Sequence, residues 1–377
     1  MSSQQTFSRG RRRVLWGLPL AITLVWLAYV VYMNQWDRVA EHWRAALTMI
    51  FGSFVAGATP QGGGAVAFPV FTKVIGTPAA VARTFSLSIQ AIGMVTAGLS
   101  IVLSGKPIER RAVLAGGGAG VIGFLVGLLL LTDHSTPFWN SHIPDPYVKV
   151  TFTVVLAALA YIVYLVLDEG DCGRSTLPIW NNRMWVGVVA AGLIGGAASA
   201  LIGSGADVFV FLFIVVIAGL HPRVGVPSSV LAMAMVSLTG IVVLGIIDGQ
   251  LATQVAGDSV VAVGGTPIDP IPRAQNDVFG MWIAAVPIVV WGAPLGTIFI
   301  HMLREKRLIS FVAGMALLEV ISTAIFLEPL RTDRWLLAYA VVGLVFAIVG
   351  VRWLHTHRDG LLKEASPDRA PMSVFDS

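Results

Sequence analysis

Two glycine-rich breaks contain the residues of this sequence best suited to bind a ligand. The first break, Thr59–Gly64, reads TPQGGG, and the second break, Gly203–Gly205, reads GSG. Glycine reaches backbone angles that other residues avoid, so its N–H groups can turn towards a cavity. A helix that starts after such a break presents N–H groups without intrahelical partners and a partial positive charge. The breaks therefore indicate an anion site, with close helix packing as the alternative explanation.

The candidate ligands of the breaks are backbone groups and two polar side chains. Gly63 is expected to have a positive φ, and its missing side chain to leave the space into which the N–H groups point. Ser204 adds a hydroxyl donor, but Ile202 stands where a G-x-S-x-G nucleophile motif has its first glycine. The candidate residues are Gln61, Gly62, Gly63, Gly64, Gly203, Ser204 and Gly205.

A polar stripe follows the first break on the next predicted helix. Arg83, Ser86, Gln90 and Gly93 are spaced by three and four residues, which places them on one helix face. A polar face on a membrane helix should look inwards, where Ser86 and Gln90 can donate hydrogen bonds to an oxyanion. For Arg83 the alternative is to extend to the outer membrane interface.

Hydroxyl residues near the start of two corresponding helices are further candidate ligands. Thr84 lies beside Arg83, and Ser228 and Ser229 occupy the matching part of the second half. For each of these hydroxyls, and for that of Ser86, the alternative is a hydrogen bond to a carbonyl of its own helix.

Two acids, Asp207 and Glu319, are candidates for ion coupling. A carboxyl group in an apolar environment is harder to ionise than in water, so either acid could exchange a proton near neutral pH. Asp207 is the better candidate because it follows the second break, and its alternative role is to cap the next helix. The alternative for Glu319 is a hydrogen bond to Ser322 or Thr323.

The composition places these residues in a membrane protein. Of 377 residues, 56% are hydrophobic and 12% charged, with a formal net charge of +4, whereas soluble domains have about 45–50% apolar and about 25% charged residues. This excludes an ordinary soluble enzyme, a disordered chain and a nucleic-acid binder with a basic surface. Cys172 is the one cysteine and cannot form an intrachain disulfide. Small-residue packing seams are expected at Gly116/Gly120, Gly123/Gly127 and Gly292/Gly296.

Eight stretches have the roughly 20 apolar residues that a membrane helix requires. The first exceeds the apolar core of a signal peptide and no small-x-small cleavage site follows it, so we expect a retained anchor. The eight stretches are Val14–Met33, Ala80–Leu103, Ala112–Leu131, Val148–Leu167, Val224–Ile246, Val278–Met302, Leu308–Leu327 and Trp335–Leu354.

Two further stretches, Ala45–Gly76 and Met184–Gly219, are too long for one helix and too short for two full crossings. A glycine break interrupts each of them near its middle. We expect each to form a hairpin of two short helices that meets inside the membrane. Irregular backbone is tolerated there only where protein covers it or where it lines a wet cavity.

Positive charges indicate the orientation of the chain. Arginines before the first span place the N-terminus in the cytoplasm. If both hairpins return to their own side, the basic loops Gly105–Arg111 and Leu303–Arg307 and the C-terminal tail are also cytoplasmic. The loops Thr132–Tyr147 and Ile247–Asp277 are then outside, and between them they hold a single basic residue, Arg273, apart from histidines.

The two hairpins begin an internal repeat. Each is followed by three spans, so each unit makes an odd number of crossings and tandem copies are inverted. The matched pairs are Gly62/Gly203, Gly64/Gly205 and Phe68/Phe209 at an offset of 141 residues, and Pro78/Pro222, Thr84/Ser228 and Gly105/Gly249 at an offset of 144. The predicted fold is an all-α polytopic membrane protein with two inverted repeats and extra N- and C-terminal helices. Its segments are a cytoplasmic tail and anchor helix (1–44), a first repeat (45–167), a second repeat (184–327) and a last helix with a cytoplasmic tail (328–377).

This ordered duplication resembles the sulfite exporter TauE/SafE family of membrane permeases over roughly residues 45–350. The resemblance implies movement of small sulfur-containing anions such as sulfite and organosulfonates. The second break departs from the pattern in having one serine between two glycines. The residues that carry the resemblance are Gly57, Gly62–Gly64, Pro69, Pro78, Ala82–Ser86 and Gly105, and Gly195, Gly196, Gly203–Gly205, Pro222 and Gly225–Ser229.

These observations predict an inner-membrane secondary transporter that exports such an anion by alternating access. The sequence has no G-x-x-x-x-G-K-[ST] motif for ATP. An anion channel, or a permease for an unrelated small anion or metabolite with uptake as its direction, are the alternatives. We expect no enzymatic activity, cofactor, metal or nucleic-acid partner. The expected partners are the small anion, membrane lipids and protons as a candidate coupling ion.

Overall fold

The computed structural model describes residues 9–136, 138–168, 177, 180–251, 254–256, 259–261, 277–302 and 305–362. These residues are almost entirely helical, with two short antiparallel strand pairs. The helices are α1 (Arg9–Tyr32), α2 (Trp36–Glu41), α3 (Trp43–Ala58), α4 (Gly64–Pro69), α5 (Ala79–Leu103), α6 (Arg110–Leu131), α7 (Asp145–Asp168), α8 (Asn182–Ile202), α9 (Ala206–Phe211), α10 (Pro222–Gly240), α11 (Val278–Met302), α12 (Glu305–Phe326), α13 (Pro329–Thr332) and α14 (Arg334–Leu362).

Three helices continue in the wider π-helical form. These extensions are π1 (Val70–Ile75) after α4, π2 (Leu212–Ile217) after α9 and π3 (Ile241–Ile247) after α10. The strand pairs are β1 (Thr132–Asp133) with β2 (Asn140–Ser141), and β3 (Gln254–Ala256) with β4 (Ser259–Val261). Most of the long loop Ile247–Asp277, including Arg273, lies outside the described residues, as do Cys172, Arg304 and the tail 363–377.

Six helices of the described chain are long and apolar enough to cross a membrane. They are Ala79–Leu103, Arg110–Leu131, Asn182–Ile202, Pro222–Ile247, Val278–Phe299 and Arg334–Trp353. Five of these six are predicted spans, and Asn182–Ile202 belongs to the second predicted hairpin. The other three predicted spans are helical too, as α1, α7 and α12, although some of their side chains lie outside those described. The prediction of an all-α polytopic membrane protein is confirmed.

Both predicted hairpins contain a break at the expected glycines, but their arms differ in length. The first hairpin consists of α3, the break, and α4 continuing into π1. The second consists of α8, the break, and α9 continuing into π2. The prediction of two short helices is wrong for the second hairpin, because α8 has 21 residues. At about 1.5 Å per residue α8 is long enough to cross the hydrocarbon core by itself.

Glycine seams pack α8 against α6 and α3 against α11. A Cβ built on Gly196 would lie 2.0 Å from the carbonyl oxygen of Gly120. A Cβ on Gly292 would lie 1.9 Å from the Ser53 hydroxyl oxygen. The helix axes can approach this closely because glycine has no side chain there. The seams at Gly116/Gly120, Gly123/Gly127 and Gly292/Gly296 have the packing role predicted for them.

These contacts also give the relative directions of the helices. Gly116 of α6 lies against Gly192 of α8 and Gly120 lies against Gly196, so α6 and α8 run parallel. The contacts of Ser53 with Gly292 and of Phe54 with Gly296 likewise make α3 and α11 parallel.

By contrast, α5 and α10 run antiparallel. Gly98 of α5 lies against Leu231 of α10, and Gly240 lies against Leu87. All these directions are the ones that the predicted topology requires. The inverted relation between the two repeats stays a prediction.

Candidate anion site between two glycine breaks

The two glycine breaks, far apart in sequence, meet in the interior of the protein. The Ser204 hydroxyl donates to the carbonyl oxygen of Gln61 over 3.1 Å. A Cβ built on Gly64 would lie 2.7 Å from the Ser204 Cβ, so the backbones touch. All residues of both breaks are buried in this conformation. The site is therefore closed, with each break covered by the other.

Thr59 ends the first arm of the first hairpin. Its hydroxyl donates to the Val55 carbonyl over 3.1 Å and accepts from the Gln61 N–H over 3.3 Å. Gly62 then takes a left-handed φ of +65°, which turns the chain back towards α4.

The expectation for Gly63 is wrong in one respect. Its φ is −68°, an ordinary helical value, and the positive φ belongs to Gly62. A Cβ on Gly63 would point back to α3, 3.3 Å from the Ala56 Cβ and 3.4 Å from the Gly52 carbonyl oxygen. Gly63 is thus a packing residue of the first hairpin, whereas Gly62 and Gly64 face the second break. Three consecutive glycines in the sequence do not reveal which of them carries the turn.

The second break has two residues outside the usual φ range. Gly203 has a φ of +80° and donates its N–H to the Ser199 carbonyl over 2.9 Å, which ends α8. Gly205 has a φ of +151°. The Ser199 hydroxyl accepts from the Ala206 N–H over 3.2 Å, so it satisfies a donor at the start of α9.

Ser86 and Gln90 of α5 line the site as predicted from their spacing. The Gln90 Nε2 donates to the Gly203 carbonyl and to the Ser86 hydroxyl, each over 2.8 Å. The Ser86 hydroxyl also approaches the Gly203 carbonyl, at 3.3 Å. In these contacts neither the Ser86 hydroxyl nor the Gln90 amide donates to a backbone carbonyl of α5. Gly93, the fourth residue of the stripe, instead packs on Val289 of α11.

Asp207 lies in the first turn of α9 and has two differently placed carboxylate oxygens. Its Oδ1 accepts from the Val208 N–H over 3.0 Å, and Ser204 and the Gly205 N–H also approach the carboxylate. Its Oδ2 has no hydrogen-bond partner among the described residues. A Cβ on Gly62 would lie only 2.6 Å from this Oδ2. Asp207 therefore combines the capping geometry of its alternative role with a free oxygen that faces the first break.

Arg83 is enclosed by protein and does not contact the residues of the two breaks through its guanidinium. The side chain is buried, and its guanidinium donates to the carbonyls of Phe138 at 2.6 Å, Trp139 at 3.0 Å and Ala200 at 3.1 Å. These carbonyls belong to the β1–β2 loop and to the last turn of α8. Arg83 thus links the β1–β2 loop to the end of α8, and its charged group contacts the site only through these elements.

Thr84 lies near the N-terminal end of α5 rather than at the breaks. Its hydroxyl contacts the Ala80 carbonyl at 3.1 Å and the Gln250 side-chain oxygen at 2.5 Å. Gln250 in turn donates to Asp248 over 2.7 Å. Burial raises the pKa of Asp248, and its hydrogen bonds with Gln250 and Trp139 partly offset this effect.

Ser228 and Ser229 also use their hydroxyls within α10. Ser228 donates to the Val224 carbonyl over 2.7 Å and Ser229 donates to the Val226 carbonyl over 3.0 Å. Ser228 additionally accepts from the Glu109 N–H over 2.9 Å, which supports the start of α6. Both serines therefore make the hydrogen bond to their own helix that was the alternative to ligand binding.

Glu319 lies away from the breaks in a buried polar cluster. Its alternative is confirmed, since Ser322 donates to it over 3.1 Å and Thr323 over 3.3 Å, and Thr153 of α7 donates over 3.0 Å. Its main partner, Lys73 of π1, was missed by the sequence reasoning. A lysine in the second arm of a membrane hairpin is itself a signal, because it needs an acidic partner there.

The described residues contain no group of three His, Cys, Asp or Glu side chains that could hold a metal ion. The structure thus brings together Gln61, Gly62, Gly64, Ser86, Gln90, Gly203, Ser204, Gly205 and Asp207. It places Gly63 behind them, and Arg83, Thr84, Ser228, Ser229 and Glu319 elsewhere.

Comparison with known proteins gives one match. The family model of the sulfite exporter TauE/SafE matches residues 45–323, while no curated protein and no solved structure matches significantly. The matched segment starts in α3 and ends in α12, so it includes both glycine breaks and every candidate site residue. The family implies a membrane transporter of sulfur anions such as sulfite. Because the match covers well over half of its length, the chain belongs to the sulfite exporter TauE/SafE family.

Proposed function

We propose that this protein exports a small sulfur-containing anion, sulfite or an organosulfonate, across the inner membrane by alternating access. The observation that carries the proposal is the contact of two glycine breaks from different halves of the chain at one buried site. A substrate held between two such elements can be exposed to either side as they separate in turn. In this proposal both termini are cytoplasmic.

The donors at this site are uncharged. They are the hydroxyls of Ser86 and Ser204, the amide of Gln90 and the N–H groups at the start of α4, because the N–H groups of Ala206 and Val208 in α9 already bond to Ser199 and Asp207. In the closed conformation the side-chain donors bond to the carbonyls of Gln61 and Gly203. We expect the anion to replace these carbonyls when the breaks separate. A helix end attracts an anion by only about 0.3–2 kcal/mol, which permits release as well as binding.

The helix directions support the two inverted repeats. The first arm of each hairpin packs parallel to a helix of the other half, α3 on α11 and α8 on α6, and α5 and α10 cross antiparallel. Two inverted units that interlock would pack in this way, with the first arm of each hairpin against a helix of the other unit. Substrate sites of transporters with inverted repeats lie at the repeat interface, where broken helices meet.

The driving force is proposed to be a gradient or the membrane potential. A monoanion that leaves a negative interior gains about 2.3 kcal/mol per 100 mV. Export can therefore run as uniport, whereas uptake would need a coupled ion. Asp207 is the proposed proton site for coupling, because it is the carboxyl group at the breaks, and Glu319 is already paired with Lys73.

A binding screen of the purified protein tests the substrate class. Sulfite, thiosulfate, sulfoacetate, taurine and carboxylate analogues would be titrated and the affinities compared. We expect sulfite or an organosulfonate to bind more tightly than the carboxylates. Preferential binding of a carboxylate would indicate a permease for an unrelated anion.

A further inference from the structure

Two buried acceptor oxygens lie beside Gly62. They are the Gln90 Oε1 and the Asp207 Oδ2, and neither has a hydrogen-bond partner among the described residues. Gln90 is 1% exposed and Asp207 is not exposed at all. A Cβ built on Gly62 would lie 3.0 Å from the first oxygen and 2.6 Å from the second, so the two are neighbours. Buried acceptors without a donor are costly, and such a pair indicates a donor between them.

The orientation of the Gln90 amide follows from its other contacts. Its Nε2 donates to the Gly203 carbonyl and to the Ser86 hydroxyl. A flipped amide would set its oxygen against the Gly203 carbonyl, which can only accept. The Oε1 must therefore face Asp207 while the breaks are in contact.

The space beside Gly62, next to both oxygens, is small. A single methyl group on Gly62 would collide with both oxygens and would lie 2.9 Å from the Met94 Cε. A sulfur oxyanion is far larger than a methyl group. A hydrogen on one of the oxygens needs no extra space.

We propose that Asp207 is protonated in the closed conformation and donates from Oδ2 to the Gln90 Oε1, which makes Gln90 the positioning residue of the proton site. This inference rests on the proposed coupling role of Asp207 and adds a partner to it. The hydrogen bond joins the second break to α5 and favours contact between the breaks. Loss of the proton leaves a carboxylate against an amide oxygen and favours their separation, so closure and proton binding strengthen each other.

The groups that face Asp207 are uncharged, so the proton has no competing ion pair. They are Gly62, Gln90, Met94 and Ser204. The charged or titratable residues on the helices around it are Arg83, whose guanidinium bonds to carbonyls, Lys73 of π1, which is paired with Glu319, and residues at or just before helix starts, namely His42, Arg44, Glu109, Arg110, Arg111, Arg183, His221 and Arg223. By the repeat offsets, Val66 is the first-half equivalent of Asp207 and Ala234 is the second-half equivalent of Gln90. The Asp207–Gln90 pair is therefore not duplicated by the repeat.

Infrared spectroscopy of the full-length protein in lipid, without any anion substrate, tests this proposal. The protonated carboxyl of Asp207 has its own C=O stretching band, assigned by its absence in Asp207→Asn. We expect this band to titrate with pH and to shift to higher frequency in Gln90→Leu. The titration midpoint should fall by roughly one pH unit in that variant, the effect of losing one hydrogen bond to the acid.

Two further variants keep the test decisive. Gln90→Glu should raise the midpoint, because two neighbouring carboxyl groups would share one proton. Ser86→Ala removes a partner from the opposite end of the same amide and should leave the midpoint unchanged. Equal midpoints and band positions in the parent, Gln90→Leu and Gln90→Glu would overturn the proposal, as would a carboxylate that never protonates but responds to added Na⁺.

The result is independent of the proposed transport function. A Gln90-dependent titration in a protein that binds no sulfur anion would refute the proposed substrate and leave the proton site standing. Binding of sulfite by a protein in which Gln90 has no effect would do the reverse.

Discussion

At the scale of single residues, the three consecutive glycines of the first break have different neighbours. A Cβ on Gly64 would lie 2.7 Å from the Ser204 Cβ and 2.8 Å from both the Gln90 Nε2 and the Ser86 hydroxyl oxygen. The three atoms nearest to a Cβ on Gly63 all belong to α3, at 3.3 Å or more. The neighbours of the missing side chain decide which glycine belongs to the site.

This difference gives a prediction with an internal control. Gly64→Ala should weaken anion binding by at least about tenfold, or about 1.4 kcal/mol, because the new methyl group displaces Ser86, Gln90 or Ser204. Gly63→Ala should change the affinity by no more than about twofold, since its backbone is already helical and its neighbours need to move little. Isothermal titration of both variants with the best ligand of the screen measures this. Equal losses in the two variants would return the glycines to a packing role.

Asp207 gives the second prediction at this scale. Asp207→Asn imitates the neutral acid and cannot exchange a proton, so its transport should lose its dependence on pH. Transport rates of both proteins in vesicles over a series of pH values measure this. If both proteins keep the same pH profile, Asp207 is only a helix cap. If Glu319→Gln alone flattens the profile, coupling belongs to the Lys73–Glu319 cluster.

At the scale of helices, the glycine seams fix the framework that holds the breaks together. In α6 the seam glycines touch the backbone of α8, whereas a Cβ on Gly118 of the same helix would have no neighbour within 4 Å. The seam on α8 is equally tight, since the space at Gly196 is filled by the Gly120 carbonyl. The position of the second break therefore depends on contacts that are remote from it.

Substitutions at these positions should have opposite effects on stability. Gly196→Ala forces two backbones apart and should lower the free energy of unfolding by about 1–3 kcal/mol. Gly118→Ala should be neutral or raise it by up to about 1 kcal/mol, because alanine favours the helix. Unfolding of the purified variants in mixed micelles would compare them. A destabilising Gly118→Ala together with a neutral Gly196→Ala would refute the seam.

Helix periodicity explains what the sequence could predict and what it could not. The spacing of Ser86 and Gln90 places both on one face of α5, and hydropathy locates the helices. The positions of the Arg83 and Lys73 side chains depend on partners that are remote in sequence. Arg83 bonds to the Phe138 and Ala200 carbonyls, and Lys73 pairs with Glu319. No local pattern encodes such contacts. The turn at Gly62 rather than Gly63 depends on how the two hairpins meet, which is a property of the tertiary structure.

At the scale of the whole molecule, the direction of the chain through the membrane decides how the site opens. The relative helix directions agree with two hairpins that enter from opposite sides, and the arrangement of basic residues predicts that Gly105–Arg111 is inside. The loop that carries β1 and β2 is then outside, fastened by Arg83.

Cysteine labelling tests this orientation. Pro107 and Asn140 are both exposed, so each can be replaced by cysteine in a Cys172→Ser background. An impermeant thiol reagent added to intact cells should label position 140 and leave position 107 unmodified until the cells are opened. The reverse pattern would invert the proposed orientation of the whole chain.

The measurement that tests the central claim most directly is counterflow in proteoliposomes. Uptake of labelled sulfite would be followed into vesicles that contain the purified protein, with and without unlabelled sulfite inside. A carrier that binds the anion between two alternately opening breaks should take up label faster when sulfite is present inside, and Gly64→Ala should lose this acceleration. Equal uptake with and without internal sulfite would indicate a channel, and no uptake of sulfite or of any organosulfonate would contradict the account.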